Sequence, residues 1–222
     1  VKRGGVAAML KAKSSRNLYI NNGLSLVEFE SGKVKTLSEV FTGLCGLLPC
    51  PADDKLDEYI AYAIGQDAGD DDGDKNYTEI RDDVFGDPLH SKPVVVSYST
   101  TDTRIILGTN AGFIHMFKDL GEDKVDESWA FMPAELFKNI PILLNNDNQT
   151  AKVYGVDGSP VVHFNDADGD GVVDSGDKVW LFFGLRRGGS SYYAVDITVP
   201  DSPKLMWHIN DQTANFSELG QS

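Results

Sequence analysis

The residues best suited to chemistry are the aspartates of residues 165–177, which read N-D-A-D-G-D-G-V-V-D-S-G-D. Asp166, Asp168, Asp170 and Asp174 stand at the first, third, fifth and ninth positions of a calcium loop, and Val172, at the seventh, would contribute its backbone carbonyl. Calcium is a hard cation that takes six to eight oxygen ligands. The spacing therefore predicts a Ca²⁺ site made by these five residues.

Two features separate this loop from an EF-hand. The twelfth position, which is a bidentate glutamate in an EF-hand, is the shorter Asp177, so its part in binding stays open. The flanking residues 160–164 and 178–183 are apolar and β-prone, whereas an EF-hand loop lies between helices. We therefore predict a calcium loop between two strands; the alternative is an acidic, solvated surface turn.

Two other segments have candidate chemistry. The acidic residues from Asp67 to Asp74 are less regularly spaced and are either a second cation site or a solvated loop. Cys45 and Cys50 are the only cysteines, and their C-x4-C spacing favours a small disulfide loop over two free thiols. Two cysteines are too few for a structural zinc site.

The elements that must position the loop are short strands that occur in a repeated order. The first set of four is predicted at residues 92–96, 104–108, 112–117 and 128–132. The second set is predicted at residues 159–163, 179–184, 191–196 and 204–208, with the loop inserted between its first two strands. Two earlier strands, at residues 16–20 and 25–29, resemble part of a further copy.

Helical spacing occurs between and before these strands. It predicts helices over residues 34–48 and 55–64, with Asp53 or Asp54 as the N-cap of the second. A third helix is predicted over residues 133–144, with a break at Pro141.

Four short strands per repeat are typical of β-propeller blades, each of which needs a neighbour to cover its apolar face. We predict a mainly β fold: a partial β-propeller with four-stranded blades and a few short inserted helices. A sandwich is the alternative. The 222 residues would form one domain of a larger propeller. Its predicted parts are the end of one blade (14–30), a helical and acidic insertion (31–85), a blade (86–132), a helix and linker (133–152), and a blade with the calcium loop (153–210).

Composition limits the partners. A net charge of −14 argues against nucleic acid and anionic membranes and suits a cation-binding, extracellular protein. No apolar run approaches the roughly 20 residues that span a bilayer. The N-terminal residues lack a leading Met and have too short an apolar part for a signal peptide, so we expect a segment of a longer protein.

The second half of the chain resembles the C-terminal propeller of the type IV pilus PilC/PilY family of tip-associated adhesins. The motifs that carry this likeness occur in order, at residues 86–93, 108–117, 129–133, 156–160, 184–196 and 203–207. The family pattern D-x-D-x-D-x-V-x-D coincides with the five predicted ligands and does not include Asp177. The Arg-Gly-Asp tripeptide of some members is absent.

The resemblance implies quinoprotein-like propeller blades. It also implies a non-enzymatic, pilus-associated protein at the bacterial cell surface, with roles in fimbrium biogenesis and cell adhesion. Calcium would control pilus extension and retraction and surface attachment. The implied partners are pilus components such as minor pilins, host or abiotic surfaces, and the remaining blades of the propeller. Two alternatives are a fragment of a quinone-dependent dehydrogenase and a purely structural calcium-binding repeat domain.

Other chemistry has weaker support. The four histidines, His90, His115, His163 and His208, are scattered and are interpreted as core or rim residues. No G-x-S-x-G elbow of a serine hydrolase occurs. Residues 184–189 contain two arginines among glycines, and they either hold an anion or form a strand end and turn.

Overall fold

The computed structural model describes residues 5–47, 50–122, 124–146 and 152–220. The last residue of the helix predicted over 34–48 and part of the predicted linker, residues 147–151, lie outside these ranges. Among the described residues, no helix is both long and apolar enough to cross a membrane.

Within the described ranges, ten strands form two sheets. They are β1 (Leu18–Asn21), β2 (Leu26–Glu28), β3 (Val94–Ser99), β4 (Asp102–Gly108), β5 (Ile114–Gly121), β6 (Lys124–Met132), β7 (Val161–Asn165), β8 (Lys178–Gly184), β9 (Tyr192–Asp196) and β10 (Lys204–Ile209). The first sheet has the order β2-β1-β6-β5-β4-β3 and the second the order β10-β9-β8-β7. Every predicted strand is present, and each set of four is an antiparallel meander.

The two earliest strands, which are predicted as part of a further copy, join the first sheet. There β1 pairs in parallel with β6, so that Leu18 lies opposite Ala130. Long-range contacts favour this arrangement: the Asn17 side-chain amide donates to the Ser128 carbonyl at 3.0 Å, and the Ala130 N–H donates to the Asn17 carbonyl at 3.0 Å. The pairing also covers an edge of β6 that would otherwise expose unpaired backbone groups.

Short helices occur before β1 and in the predicted insertion and linker. They are α1 (Gly5–Ala12), α2 (Ser31–Val34), α3 (Ser38–Leu47), α4 (Asp53–Ile64) and α5 (Ile140–Asn145). The N-cap of α4 is Ala52, so the predicted cap, Asp53 or Asp54, is wrong by one or two positions. Both aspartates instead lie in the first turn, where the helix dipole stabilises carboxylates.

The helix predicted over residues 133–144 is divided, as the proline indicates. A 3-10 helix covers Ala134–Asn139, and α5 follows directly with Pro141 in its first turn. Proline is tolerated there because the first turn makes no use of its missing N–H. Near the end of α3, Cys45 and Cys50 form the disulfide that their spacing favours.

The core lies between the sheets. Phe131 of the first sheet meets Phe183 and Tyr193 of the second in edge-on contacts, with ring centroids 6.0 and 5.7 Å apart. The indole N–H of Trp129 donates to the Pro200 carbonyl at 2.7 Å. The second sheet is also apolar on its outer face, where Trp207 remains 40 % exposed. A sheet with two apolar faces is typical of an inner layer rather than of a solvated surface.

Candidate metal centre

The aspartate-rich loop connects β7 to β8, as predicted, and no helix flanks it. Its ends are held side by side because Asn165 pairs with Lys178 across the two strands. Inside the loop Gly169 and Gly171 adopt φ of 79° and 78°, in the left-handed region that favours glycine. These two turns bring alternate aspartates back toward a common centre.

Backbone N–H groups hold the carboxylates of the first half of the loop. Asp166 accepts hydrogen bonds from Gly169 at 2.7 Å through Oδ1 and from Gly171 at 2.8 Å through Oδ2. Asp170 accepts from Val172 at 2.7 Å. Hydrogen bonds within the loop therefore define its turn without a bound ion.

Carboxylate oxygens of the predicted ligands converge in two overlapping groups. Oxygens of Asp166, Asp168 and Asp177 lie within 4.8 Å of one another, and so do oxygens of Asp168, Asp170 and Asp174. Asp168 belongs to both groups, which makes it the centre of the cluster. Oxygen-only ligands at this density suit a hard divalent cation and do not suit zinc or copper.

Asp177 is the residue that the sequence analysis leaves open, and it is part of the first group. Its side chain is buried, and its oxygens accept hydrogen bonds from the N–H groups of Ala167 at 2.8 Å and Asp174 at 2.9 Å. It thereby joins the two halves of the loop. Its place at the twelfth position of the loop is the sequence signal that would have placed it among the predicted calcium ligands.

The electrostatics of the loop favour a cation. Partial burial and the surrounding carboxylates, with Asp168 and Asp177 foremost among them, raise the pKa of Asp174. The hydrogen bond from the Gly171 N–H has the opposite effect on Asp166 and lowers its pKa. Repulsion between carboxylates of this kind is relieved by an ion of charge +2.

The position of the loop links the two sheets. The Val173 N–H donates to the Tyr98 carbonyl of β3 at 3.2 Å, and the Val173 side chain packs against the core. The Tyr98 hydroxyl in turn donates to the Ile197 carbonyl at 2.5 Å, next to β9. The loop thus lies at the junction between the two sets of four strands. Val172 precedes this contact, and its carbonyl stays a predicted ligand.

The second acidic segment also brings carboxylates together. Oxygens of Asp67, Asp72 and Glu79 lie within 4.8 Å of one another, as do those of Asp70, Asp72 and Asp74. Asp67 is buried and accepts hydrogen bonds from the Asp71 N–H at 2.9 and 3.1 Å. A cation site here stays a prediction.

The four histidines are not brought together. His115 is fully buried and contacts Glu127, His163 stacks on Trp180, and His208 stacks on Tyr193. Those three have the core and surface roles that the sequence analysis assigns to isolated histidines. His90 differs, because its Nδ1 lies 2.8 Å from the buried carboxylate of Asp157.

Comparison with known proteins points to one family. The family model described as the PilY1 beta-propeller domain matches residues 90–221, more than half of the chain. Two relatives from Pseudomonas aeruginosa, each described as a type IV pilus biogenesis factor PilY1, are 31 % identical over 63 % of the chain (strain UCBPP-PA14) and 29 % over 71 % (strain PAK). A PilY1 homolog of Xylella fastidiosa is 28 % identical over 55 %.

The chain covers only part of these proteins. The alignments span 13 %, 15 % and 8 % of the three relatives, which is less than a sixth of their length. Among solved structures, the crystal structure of the P. aeruginosa PilY1 C-terminal domain is 31 % identical, with a TM-score of 0.37. That match covers 55 % of this chain and 21 % of the other.

Proposed function

The chain belongs to the PilY1 β-propeller domain family, and from that membership we propose that it is a calcium-binding propeller module of a type IV pilus biogenesis factor. In this proposal it has no catalytic role. It acts at the bacterial cell surface, where it contacts pilus components, including minor pilins, and host or abiotic surfaces. Further blades of the same propeller cover the part of the second sheet's apolar outer face that β10 forms, which includes Trp207.

The observation that supports calcium is the convergence of carboxylates in the β7–β8 loop. Asp166, Asp168, Asp170 and Asp174 provide exposed or partly exposed oxygens, and Val172 provides a carbonyl. We add the buried Asp177 to this set. Five carboxylates and one carbonyl supply the six or more oxygens that calcium needs, without oxygens from another cofactor.

Calcium would act through the junction between the sheets. When the ion neutralises the loop, residues 166–177 lose their mutual repulsion and the Val173–Tyr98 contact is held. Without the ion, repulsion favours a more open loop and a looser junction. A surface formed by both sheets would then bind its partner only in the calcium-loaded state, which is how calcium could control pilus extension, retraction and attachment. Binding to the ordered state stabilises that state by mass action.

The direct test is a calorimetric calcium titration of chelator-treated protein. The key variant is Asp168→Asn, which removes the charge shared by both carboxylate groups but keeps the shape of the side chain. The matched control is Asp211→Asn, which removes the same charge from an exposed position outside them. We expect wild type and control to bind one calcium ion in this loop, and Asp168→Asn to lose at least tenfold in affinity.

The outcomes separate the two carboxylate segments. If Asp168→Asn loses no calcium site, the ion binds outside the loop, with the segment of residues 67–79 as the candidate, and our loop assignment is contradicted. If one site is lost and another survives, the loop assignment holds and the segment of residues 67–79 is the candidate for the second site. Absence of any calcium heat in the wild type would remove calcium from the proposal while leaving family membership intact.

A second experiment separates control from structural support. Full-length protein with Asp168→Asn or Asp211→Asn would be expressed in its native host, and pilus number and retraction would be measured. We expect Asp168→Asn to change pilus retraction at normal protein abundance. A purely structural calcium site would instead lower the abundance or melting temperature of Asp168→Asn and leave the activity per molecule unchanged.

A further inference from the structure

Three segments that are far apart in the sequence meet at the end of the sheets opposite the calcium loop. They are residues 86–93 before β3, residues 155–160 before β7, and residues 184–192 between β8 and β9. The Lys92 N–H donates to the Ser159 hydroxyl at 3.0 Å, and His90 contacts Asp157. The arginine- and glycine-rich segment, which the sequence leaves as either an anion site or a simple turn, lies in this group.

Close backbone packing fixes the position of that segment. A Cβ atom at Gly158 would lie 2.2 Å from the Gly184 carbonyl oxygen, and one at Gly188 would lie 1.9 Å from the Gly155 carbonyl oxygen. Both distances are too short for any side chain. Between these contacts Arg186 adopts a φ of 53°, which is uncommon for a residue with a side chain. The surrounding structure therefore holds Arg186 in a conformation that it would not favour in a free turn.

The buried carboxylate of Asp157 orients the groups around it. Its two oxygens lie 2.8 and 3.1 Å from Nδ1 of His90, and Oδ2 lies 3.8 Å from Nη1 of Arg186. Because Nδ1 faces Asp157, the other ring nitrogen of His90 is left for a ligand. A carboxylate that holds an imidazole or guanidinium in place is a common way to prepare these groups for binding.

These groups line a cleft of about 520 Å³. Its basic residues are His90, Lys92 and Arg186, and none of the described residues that line it is acidic. The chain has 34 acidic residues and a net charge of −14, so a cleft with this lining differs from most of the surface. Phe182 and Tyr192 add an apolar, aromatic wall.

We propose that this cleft binds a carboxylate carried by an apolar or aromatic residue, such as the C-terminus of a peptide. Arg186 would bind the carboxylate through its planar fork, and Lys92 and His90 would contribute the remaining donors. The aromatic wall would contact the apolar body of the ligand. Five residues of β7 separate the cleft from the calcium loop, a distance of roughly 13 Å at the usual rise of a strand. The two sites are therefore separate, and this inference does not depend on calcium.

The test compares a carboxylate with its neutral amide. N-acetyl-phenylalanine and N-acetyl-phenylalanine amide would each be titrated into isotope-labelled protein, with binding followed by NMR shifts of His90 and of residues 182–192. Inorganic phosphate would be titrated separately. We expect the carboxylate to shift these resonances with at least tenfold higher affinity than the amide, and with calcium or chelator alike.

Three variants test which positive charges bind the carboxylate. Arg186→Gln removes a guanidinium that lines the cleft, and Arg187→Gln removes the neighbouring one, which lies outside the lining and donates to the Tyr154 hydroxyl at 2.9 Å. We expect Arg186→Gln to weaken carboxylate binding tenfold or more and Arg187→Gln to change it less than threefold. Lys92→Gln, at an exposed side chain, should weaken it severalfold without affecting the fold.

Four results would overturn the proposal. The first three are equal binding of the acid and the amide, unchanged binding in Arg186→Gln with native spectra, and binding of phosphate without binding of the carboxylate. The fourth is the absence of any shift with the carboxylate at concentrations up to its solubility limit.

Discussion

The buried carboxylate of Glu127 is the contact that ties the N-terminal part of the chain to the first sheet. Its two oxygens accept hydrogen bonds from Nε and Nη2 of Arg16 at 2.7 and 2.8 Å, and Oε1 also lies 2.8 Å from Nδ1 of His115. The Glu127 side chain is fully buried, and that of Arg16 is 5 % exposed. The change Glu127→Gln would leave the guanidinium charge of Arg16 without its partner. It would also place the amide N–H groups of the glutamine close to the N–H donors of Arg16.

Breaking a buried pair by removing one partner costs about 3–5 kcal/mol, because the remaining charge stays desolvated. We therefore expect Glu127→Gln to lower the free energy of unfolding by that amount and the melting temperature by roughly 6–20 °C. The matched control is Asp126→Asn on the adjacent residue. Its carboxylate contacts Lys13 at 2.5 Å but is 53 % exposed, and surface pairs contribute less than about 1 kcal/mol.

Chemical denaturation of the two variants measures both costs. Arg16→Met and the double variant complete a cycle, in which the double variant should lose less than the sum of the single losses because no charge is stranded. The reasoning is refuted if Glu127→Gln and Asp126→Asn lose the same free energy of unfolding. It is also refuted if the losses from Glu127→Gln and Arg16→Met are additive in the double variant.

Three further predictions concern pH, packing and calcium. Burial lowers the pKa of His115; burial also raises that of Glu127, but the hydrogen bonds from Arg16 and His115 outweigh this and lower it to about 2. The unfolded chain thus binds protons more readily at both positions. As the pH is lowered past about 6.5, the free energy of unfolding should decrease because of His115, and past about 4.5 it should decrease by up to about 3 kcal/mol more because of Glu127. Denaturation curves measured at each pH test this. Gly158→Ala should destabilise the protein by about 1–3 kcal/mol or more in chemical denaturation, because its Cβ would overlap a backbone carbonyl. The control Gly46→Ala, on a helix with open space around it, should stabilise the protein by about 0.5–1 kcal/mol. Equal effects of the two variants would contradict the close backbone packing at Gly158. Calcium at 100 times the wild-type Kd should add about 2.7 kcal/mol and raise the melting temperature by roughly 5–11 °C in calorimetric scans. The affinity loss of at least tenfold in Asp168→Asn should reduce this rise to about half or less.

Much of the fold could be predicted because its signals are local. Alternating apolar residues place the strands of both sets, and a proline at residue 141 divides the helix that contains it. The loop aspartates are recognisable because their spacing alone matches the alternate ligands of a calcium loop. The predicted N-cap of α4, Asp53 or Asp54, is wrong by one or two residues, because the helix already begins at Asp53 and Ala52 is its cap.

Other features depend on contacts between distant segments. Asp177 has the right position in the loop, but only the folded chain shows that its side chain is buried and bonded to both halves. The pairing of β1 with β6 joins residues more than 100 positions apart, and nothing in the short strand Leu18–Asn21 specifies that partner. Such pairings are decided by which edge and which apolar face remain to be covered.

By itself, then, the sequence determined the repeated strands, the calcium-type spacing and the family motifs, because each depends on side chains within a few residues of one another. Only the tertiary structure decided that the loop bridges the two sheets through Val173 and that His90, Lys92 and Arg186 share one cleft. The reason is physical. Hydrophobic burial acts on whole faces and fixes which segments meet, whereas the charges and hydrogen bonds of a site depend on distances of a few ångströms that arise only after those faces have packed.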